Sequence, residues 1–188
     1  MQTIRSFVAI PLSSALQRSC GQLIERLAEA MPGAKWLPAE NLHLTLKFLG
    51  DVDNRIIPDI CQLIREVCSQ TPAFTLQLRG VGGFPDLPRA RVIWARPIQG
   101  QQELEPLVEQ LERRLADLGF RPEGRSYRAH LTLGRMPNGR RPSEQLLAAL
   151  EREAGRDFGT MRVEEVQLIA SYLDRFGANY SVMDRVAL

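Results

Sequence analysis

The chain contains two histidines, and each opens the same tetrapeptide: His43-Leu44-Thr45-Leu46 and His130-Leu131-Thr132-Leu133. In an extended strand side chains alternate between faces, so each histidine shares a face with its threonine while the leucines point the other way. The leucine face is suited to a core and the His/Thr face to a polar cleft. If the two strands pack about a pseudo-twofold axis, two imidazoles and two hydroxyls converge. Imidazole titrates near neutrality, so one ring can accept a proton while its twin donates one. Phosphodiester cleavage needs that pair on opposite sides of phosphorus, a base for the attacking oxygen and an acid for the leaving oxygen. The threonine hydroxyls, about 7 Å along each strand, can hold non-bridging oxygens and steady the transition-state charge. A single histidine in a strand is ordinarily a surface or satisfied core residue. The joint occurrence carries the reading. No carboxylate or cysteine stands at metal-ligand spacing from either histidine, so neither a metal nor a cofactor is expected.

The residues beside the motifs follow from the same parity. Lys47 falls on the face of His43 and Thr45, where it is a phosphate neighbour or simply solvated. Phe48 falls with the core leucines, although an aromatic there would be placed to stack a base. Arg135 suits a phosphate contact but falls off the histidine face, so a bend after Gly134 is required to bring it in. Trp36 and Tyr127 flank the motifs and read as packing residues.

Short strands and helices alternate around these motifs. Thr3–Ile10 reads as a strand, and Ser13 caps a helix to about Met31 with Leu16, Leu23, Ile24 and Leu27 on one face. Leu42–Phe48 alternates strictly, and Gly50-Asp51 turns the chain. A helix covers roughly Arg55–Ser69, with Pro58 in its first turn. Phe74–Val81 is a strand, Gly82–Asp86 a loop, and Arg91–Ala95 another strand. A helix at about Gln101–Leu118 carries Leu104, Leu107, Leu111 and Leu115 and stops at Gly119. Ala129–Leu133 is a strand and Ser143–Glu153 a helix; Val163–Tyr172 and Tyr180–Val186 are closing strands. Strands joined sometimes by helices and sometimes by loops indicate an α+β protein with largely antiparallel sheets. Gly80–Gly83 has no helix and lysine after it, so no phosphate loop is present.

The 188 residues fit one domain or two small lobes sharing a core. The longest apolar runs are far short of the roughly 20 residues that span a membrane, and the amino-terminal stretch is broken too early by Pro11 for a signal peptide. Cys20, Cys61 and Cys68 form no CxxC pair and read as buried thiols in a reducing compartment. A cytoplasmic monomer without membrane partners is expected. The net charge of +2 advertises no broad basic face, so a small or terminal phosphate ligand fits better than a long duplex.

With both motifs in place, the sequence resembles the 2H phosphoesterases, named for paired HxTx motifs. Within them it is similar to the RNA 2′,3′-cyclic phosphodiesterases, also called 2′-5′ RNA ligases. The likeness runs over nearly the full chain: Arg5–Ile10, Trp36-Leu37-Pro38, Asn41–Gly50, Gly82–Pro85, Val92–Ala95, His130–Arg135, Ser171-Tyr172-Leu173 and Gly177–Tyr180. Ala129 stands where the family often has proline. The resemblance implies a bilobal, duplicated α+β fold over residues 1–188, with two antiparallel sheets facing a central cleft and helices outside. It implies opening of 2′,3′-cyclic phosphates at RNA 3′ ends, or on small cyclic nucleotides, to a 2′-phosphate. His43 is then the acid that protonates the departing 3′-oxygen and His130 the base that activates water. Thr45, Thr132, Arg135 and Phe48 become the substrate-binding set. Reversible 2′-5′ ligation of RNA halves, or an RNA-end-binding module, remain alternatives.

Overall fold

A computed structural model describes residues 2–124, 126–137, 140–174 and 177–188. Among the described residues, nine strands and four α-helices run in the order β1 (Thr3–Pro11), α1 (Ser14–Ala30), β2 (Lys35–Trp36), β3 (His43–Asp53), α2 (Ile57–Cys68), β4 (Phe74–Phe84), β5 (Val92–Gln99), α3 (Gln101–Asp117), β6 (Leu131–Arg135), α4 (Glu144–Arg152), β7 (Asp157–Val163), β8 (Glu165–Asp174) and β9 (Gly177–Ala187). They form two sheets, β3-β1-β8-β9 and β2-β6-β5-β4-β7. Every pairing is antiparallel. This is the expected α+β architecture.

The helices lie where their apolar stripes direct them. Ser13 and Ser143 cap α1 and α4, their hydroxyls accepting from the Leu16 and Leu146 N–H groups. Leu16, Leu23 and Leu27 of α1, Leu104, Leu107 and Leu111 of α3, and the motif leucines Leu44, Leu46, Leu131 and Leu133 all belong to one contiguous core. That core draws on both sheets and all four helices, so the two lobes share their interior. Helix α3 touches both β3 and β5 and bridges the sheets. Cys20, Cys61 and Cys68 are buried; burial pushes the Cys20 and Cys68 thiols up to about 12, which keeps them unreactive.

Several boundaries differ from the sequence reading. β3 runs through Gly50, whose φ of +71° bulges the strand rather than turning it, and continues to Asp53. β4 extends to Phe84 because Gly82 lies beneath the Trp94 indole, where a Cβ would come within 2.4 Å of the ring. Strands β2 and β7 add to the elements that the sequence pattern predicts.

Candidate active site

The motif strands β3 and β6 lie against one another. Each carries a one-residue bulge at the same place in its motif. On β3, Thr45 pairs with Ala9 but Lys47 pairs with Val8, so Leu46 is the extra residue. On β6, Thr132 pairs with Trp94 and Gly134 with Ile93, so Leu133 is extra. A single inserted residue exchanges the faces of everything beyond it. This corrects three parity assignments.

Lys47 turns inward: its residue is 3% exposed. The Nζ donates to Glu112 Oε2 at 2.7 Å and to the Arg121 carbonyl at 2.9 Å. It is a buried structural cation, not a phosphate neighbour. Phe48 leaves the core instead and is 54% exposed, its ring centroid 6.0 Å from that of Phe7, which stacks on His43. Arg135 occupies the matching position beyond the second bulge and reaches the histidine face. Gly134 permits this, since a Cβ there would lie 2.4 Å from the Trp36 ring.

The two imidazoles are held alike. His43 Nδ1 lies 2.8 Å from the Asn41 carbonyl and His130 Nδ1 2.7 Å from the Arg128 carbonyl, each two residues upstream. A carbonyl only accepts, so Nδ1 carries the proton and Nε2 is left with its lone pair. Phe7 stacks on the His43 ring at 4.7 Å and Tyr180 meets it edge-on at 5.2 Å. Phe84 meets the His130 ring edge-on at 4.9 Å. Both histidines and both threonines are half-buried.

Burial pushes both imidazoles below the ordinary value of 6.5, and their bonds to backbone carbonyls oppose that. Arg135 lowers both rings further, which places its guanidinium within electrostatic reach of each motif. Arg128 acts on His130 as well. Burial raises the Tyr180 phenol, opposed by Arg135 and Arg5. The result is a pair of imidazoles whose protonation is disfavoured, set within reach of arginines, an arrangement that favours an anionic ligand.

The sequence places His43 with Thr45 and His130 with Thr132 on the polar faces of their strands, and it does not reveal the rings and guanidinium around the imidazoles. Phe7, Tyr180, Phe84 and Arg128 come from four separate segments of the chain, and only Arg128, two residues from His130, lay close enough in sequence to be noticed. Tyr127 packs as foreseen, its hydroxyl donating to the Thr45 carbonyl at 3.1 Å. Trp36 donates from Nε1 to the Met31 carbonyl at 3.1 Å. Concave surfaces between α1 and α4 and between α2 and α3 lie away from the motifs. Among the described residues no group of three or more His, Cys, Asp or Glu side chains is arranged to hold a metal, and no helix is long and apolar enough to cross a membrane.

A bilobal α+β fold with twin His-x-Thr strands at its centre defines a two-histidine phosphoesterase type of protein. The chain belongs to the 2′-5′ RNA ligase superfamily, whose family model matches residues 13–175. Among its relatives, the RNA 2′,3′-cyclic phosphodiesterase of Methanothermobacter thermautotrophicus is 33% identical over 96% of this chain and 97% of its own. The RNA 2′,3′-cyclic phosphodiesterase of Aeropyrum pernix is 31% identical over 88% of this chain and 92% of its own. Among solved structures, a phosphoesterase superposes with a TM-score of 0.79 at 28% identity, covering 99% of this chain and 98% of the other. E. coli LigT complexed with 3′-AMP superposes with a TM-score of 0.77 at 28% identity and the same coverage.

Proposed function

We propose that the protein hydrolyses 2′,3′-cyclic phosphates at RNA 3′ ends, and on small cyclic nucleotides, to 2′-phosphomonoesters, acting as a cytoplasmic monomer without a cofactor. One observation carries the reading. Two imidazoles at matched positions each have Nδ1 tied to a carbonyl two residues upstream, which frees Nε2, and both feel the same guanidinium, Arg135. The relatives named RNA 2′,3′-cyclic phosphodiesterases support it.

In this reaction His130 Nε2 takes a proton from water as the water oxygen bonds to phosphorus. The bond from phosphorus to O3′ breaks, and protonated His43 gives its Nε2 proton to O3′. The product is a 2′-phosphate with a free 3′-hydroxyl. The division of roles follows the family resemblance; burial and Arg135 oppose protonation at both rings, and Arg128 adds to this at His130, the ring that must begin neutral as the base. Thr45 and Thr132 hold non-bridging oxygens, and Arg135 neutralises the phosphate charge. Phe48, exposed beside Phe7, stacks the terminal base.

The test is incubation with a 2′,3′-cyclic nucleotide in the presence of EDTA, with identification of the product. A 2′-phosphate is expected, and His43→Ala and His130→Ala should each lower kcat by at least about 100-fold. No turnover, turnover abolished by the chelator, or either variant near full rate would overturn the scheme. A 3′-phosphate product would reverse which oxygen leaves.

A further inference from the structure

The two halves of the cleft agree at the imidazoles and differ around them. Beside His43 the walls are aromatic: Phe7, Tyr180 and Phe48. The residue two before it, Asn41, is engaged with the chain itself, its side-chain amide donating to the Ala178 carbonyl at 3.3 Å. At the same place before His130 stands an exposed arginine, Arg128. Its guanidinium carbon lies 5.3 Å from the centre of the Phe84 ring, the ring that meets His130 edge-on. Phe84 in turn lies 5.0 Å from Trp94, and the guanidinium of Arg96 lies 5.7 Å from the Trp94 centre. Arg96, also exposed, follows Trp94 by two residues on β5 and therefore shares its face.

A guanidinium held against an aromatic ring is limited in the directions it can take, while its N–H groups stay available for bonds to a phosphate. Among the described residues neither Arg96 nor Arg128 is paired with a carboxylate, while eight other cations are. Arg128 is displaced from His130 by two residues, at most about 7 Å along the chain. It stands next to the reacting phosphate rather than on it.

We propose that Arg128 and Arg96, backed by Phe84 and Trp94, form a second phosphate subsite that takes the phosphodiester immediately 5′ to the cyclic phosphate. The inference rests on the proposed cyclic phosphodiesterase reading and adds direction to it. The terminal base lies against the aromatic wall of the first lobe, and the RNA backbone leaves across the arginines of the second. An RNA end is thereby distinguished from a lone cyclic nucleoside phosphate.

The experiment compares adenosine 2′,3′-cyclic phosphate with its 5′-phosphorylated form, two probes that differ only in the group the subsite would hold. The wild-type protein should prefer the 5′-phosphorylated probe in kcat/KM by about tenfold or more, as expected for a charge-assisted contact. Arg128→Gln and Arg96→Gln should each reduce that ratio by about tenfold, and each should lower the salt slope for the 5′-phosphorylated probe by about one. Measuring each variant at its own optimal pH removes any effect through His130. An unchanged ratio in both variants, or no wild-type preference, overturns the subsite. If neither probe is turned over, the cyclic phosphodiesterase reading is what fails. The subsite is then judged by titrating the 2′-phosphate products, with and without a 5′-phosphate, against tryptophan fluorescence. The same affinity ratios are expected there, and equal affinities overturn it.

Discussion

Replacing Lys47 by methionine separates the fold's use of this residue from the use its position in the motif suggests. Methionine retains the apolar stem and deletes the ammonium, which loses a 2.7 Å bond to Glu112 and a 2.9 Å bond to the Arg121 carbonyl. Removing one partner of a buried ion pair ordinarily costs about 3–5 kcal/mol, because the other charge is left unpaired. The Glu112 side chain is 18% exposed and also accepts from the Glu123 N–H at 3.2 Å, so it recovers part of its solvation. The expected loss is therefore at the lower end, about 3 kcal/mol. For a chain of this size each kcal/mol moves Tm by about 2–4 °C, giving a fall of about 6–12 °C. Thermal unfolding by circular dichroism measures it, with the urea midpoint as a second reading and an unchanged m-value as the check on two-state behaviour. Well below Tm, KM for a cyclic nucleotide should stay within about twofold of wild type, because uniform substrate binding is untouched. A tenfold rise in KM at unchanged Tm would put the ammonium in the cleft and refute the argument.

Because burial and Arg135 hold both imidazoles below their ordinary value, kcat/KM should peak below pH 6.5 and fall as the acid loses its proton toward pH 7. Arg135→Gln removes a positive charge that opposes protonation at both rings, so both limbs should move to higher pH; a stationary or downward shift would contradict the shared guanidinium. The same depression makes each histidine destabilising as pH falls below about 6.5, since the unfolded imidazole takes up a proton that the folded one resists. A pH-dependent urea titration of the His43→Ala and His130→Ala variants should show a shallower acid loss than wild type. Gly134→Ala drives a Cβ to within 2.4 Å of Trp36, and the overpacking should cost about 1–3 kcal/mol in urea melts and lower activity by displacing Arg135; wild-type stability would show that Trp36 gives way freely.

Much of the fold was legible because its signals are local. Ser13 and Ser143 announce helix starts, Gly119 with φ of +87° marks the end of α3, and the leucine stripes fall every three or four residues. The His/Thr face was legible for the same reason, as period two is readable over four residues. What failed was extrapolation past Leu46 and Leu133. A bulge leaves no trace in hydropathy, because Lys47 counts as polar whether its ammonium meets water or Glu112, which stands 65 residues further along the chain. Strand β7 escaped notice since its Asp157–Val163 segment is interrupted by Gly159 at φ +111° and lies at a sheet edge. The aromatic supports of the imidazoles depend on strand order, which no single segment encodes.

The first sheet is closed by β8 and β9, whereas the second, apart from the short β2, is built from the continuous run β4–β7. During synthesis, amino-terminal parts of a chain emerge and can fold first. Once residues through β7 have emerged, the His130 half can be assembled, while the His43 half consists of only β1 and β3 and lacks Tyr180. Strands β8 and β9 cover the open edge of β1 and bring Tyr180 against the imidazole. A chain ending before β8 thus lacks both the strand that pairs with β1 and the Tyr180 ring that meets His43 edge-on.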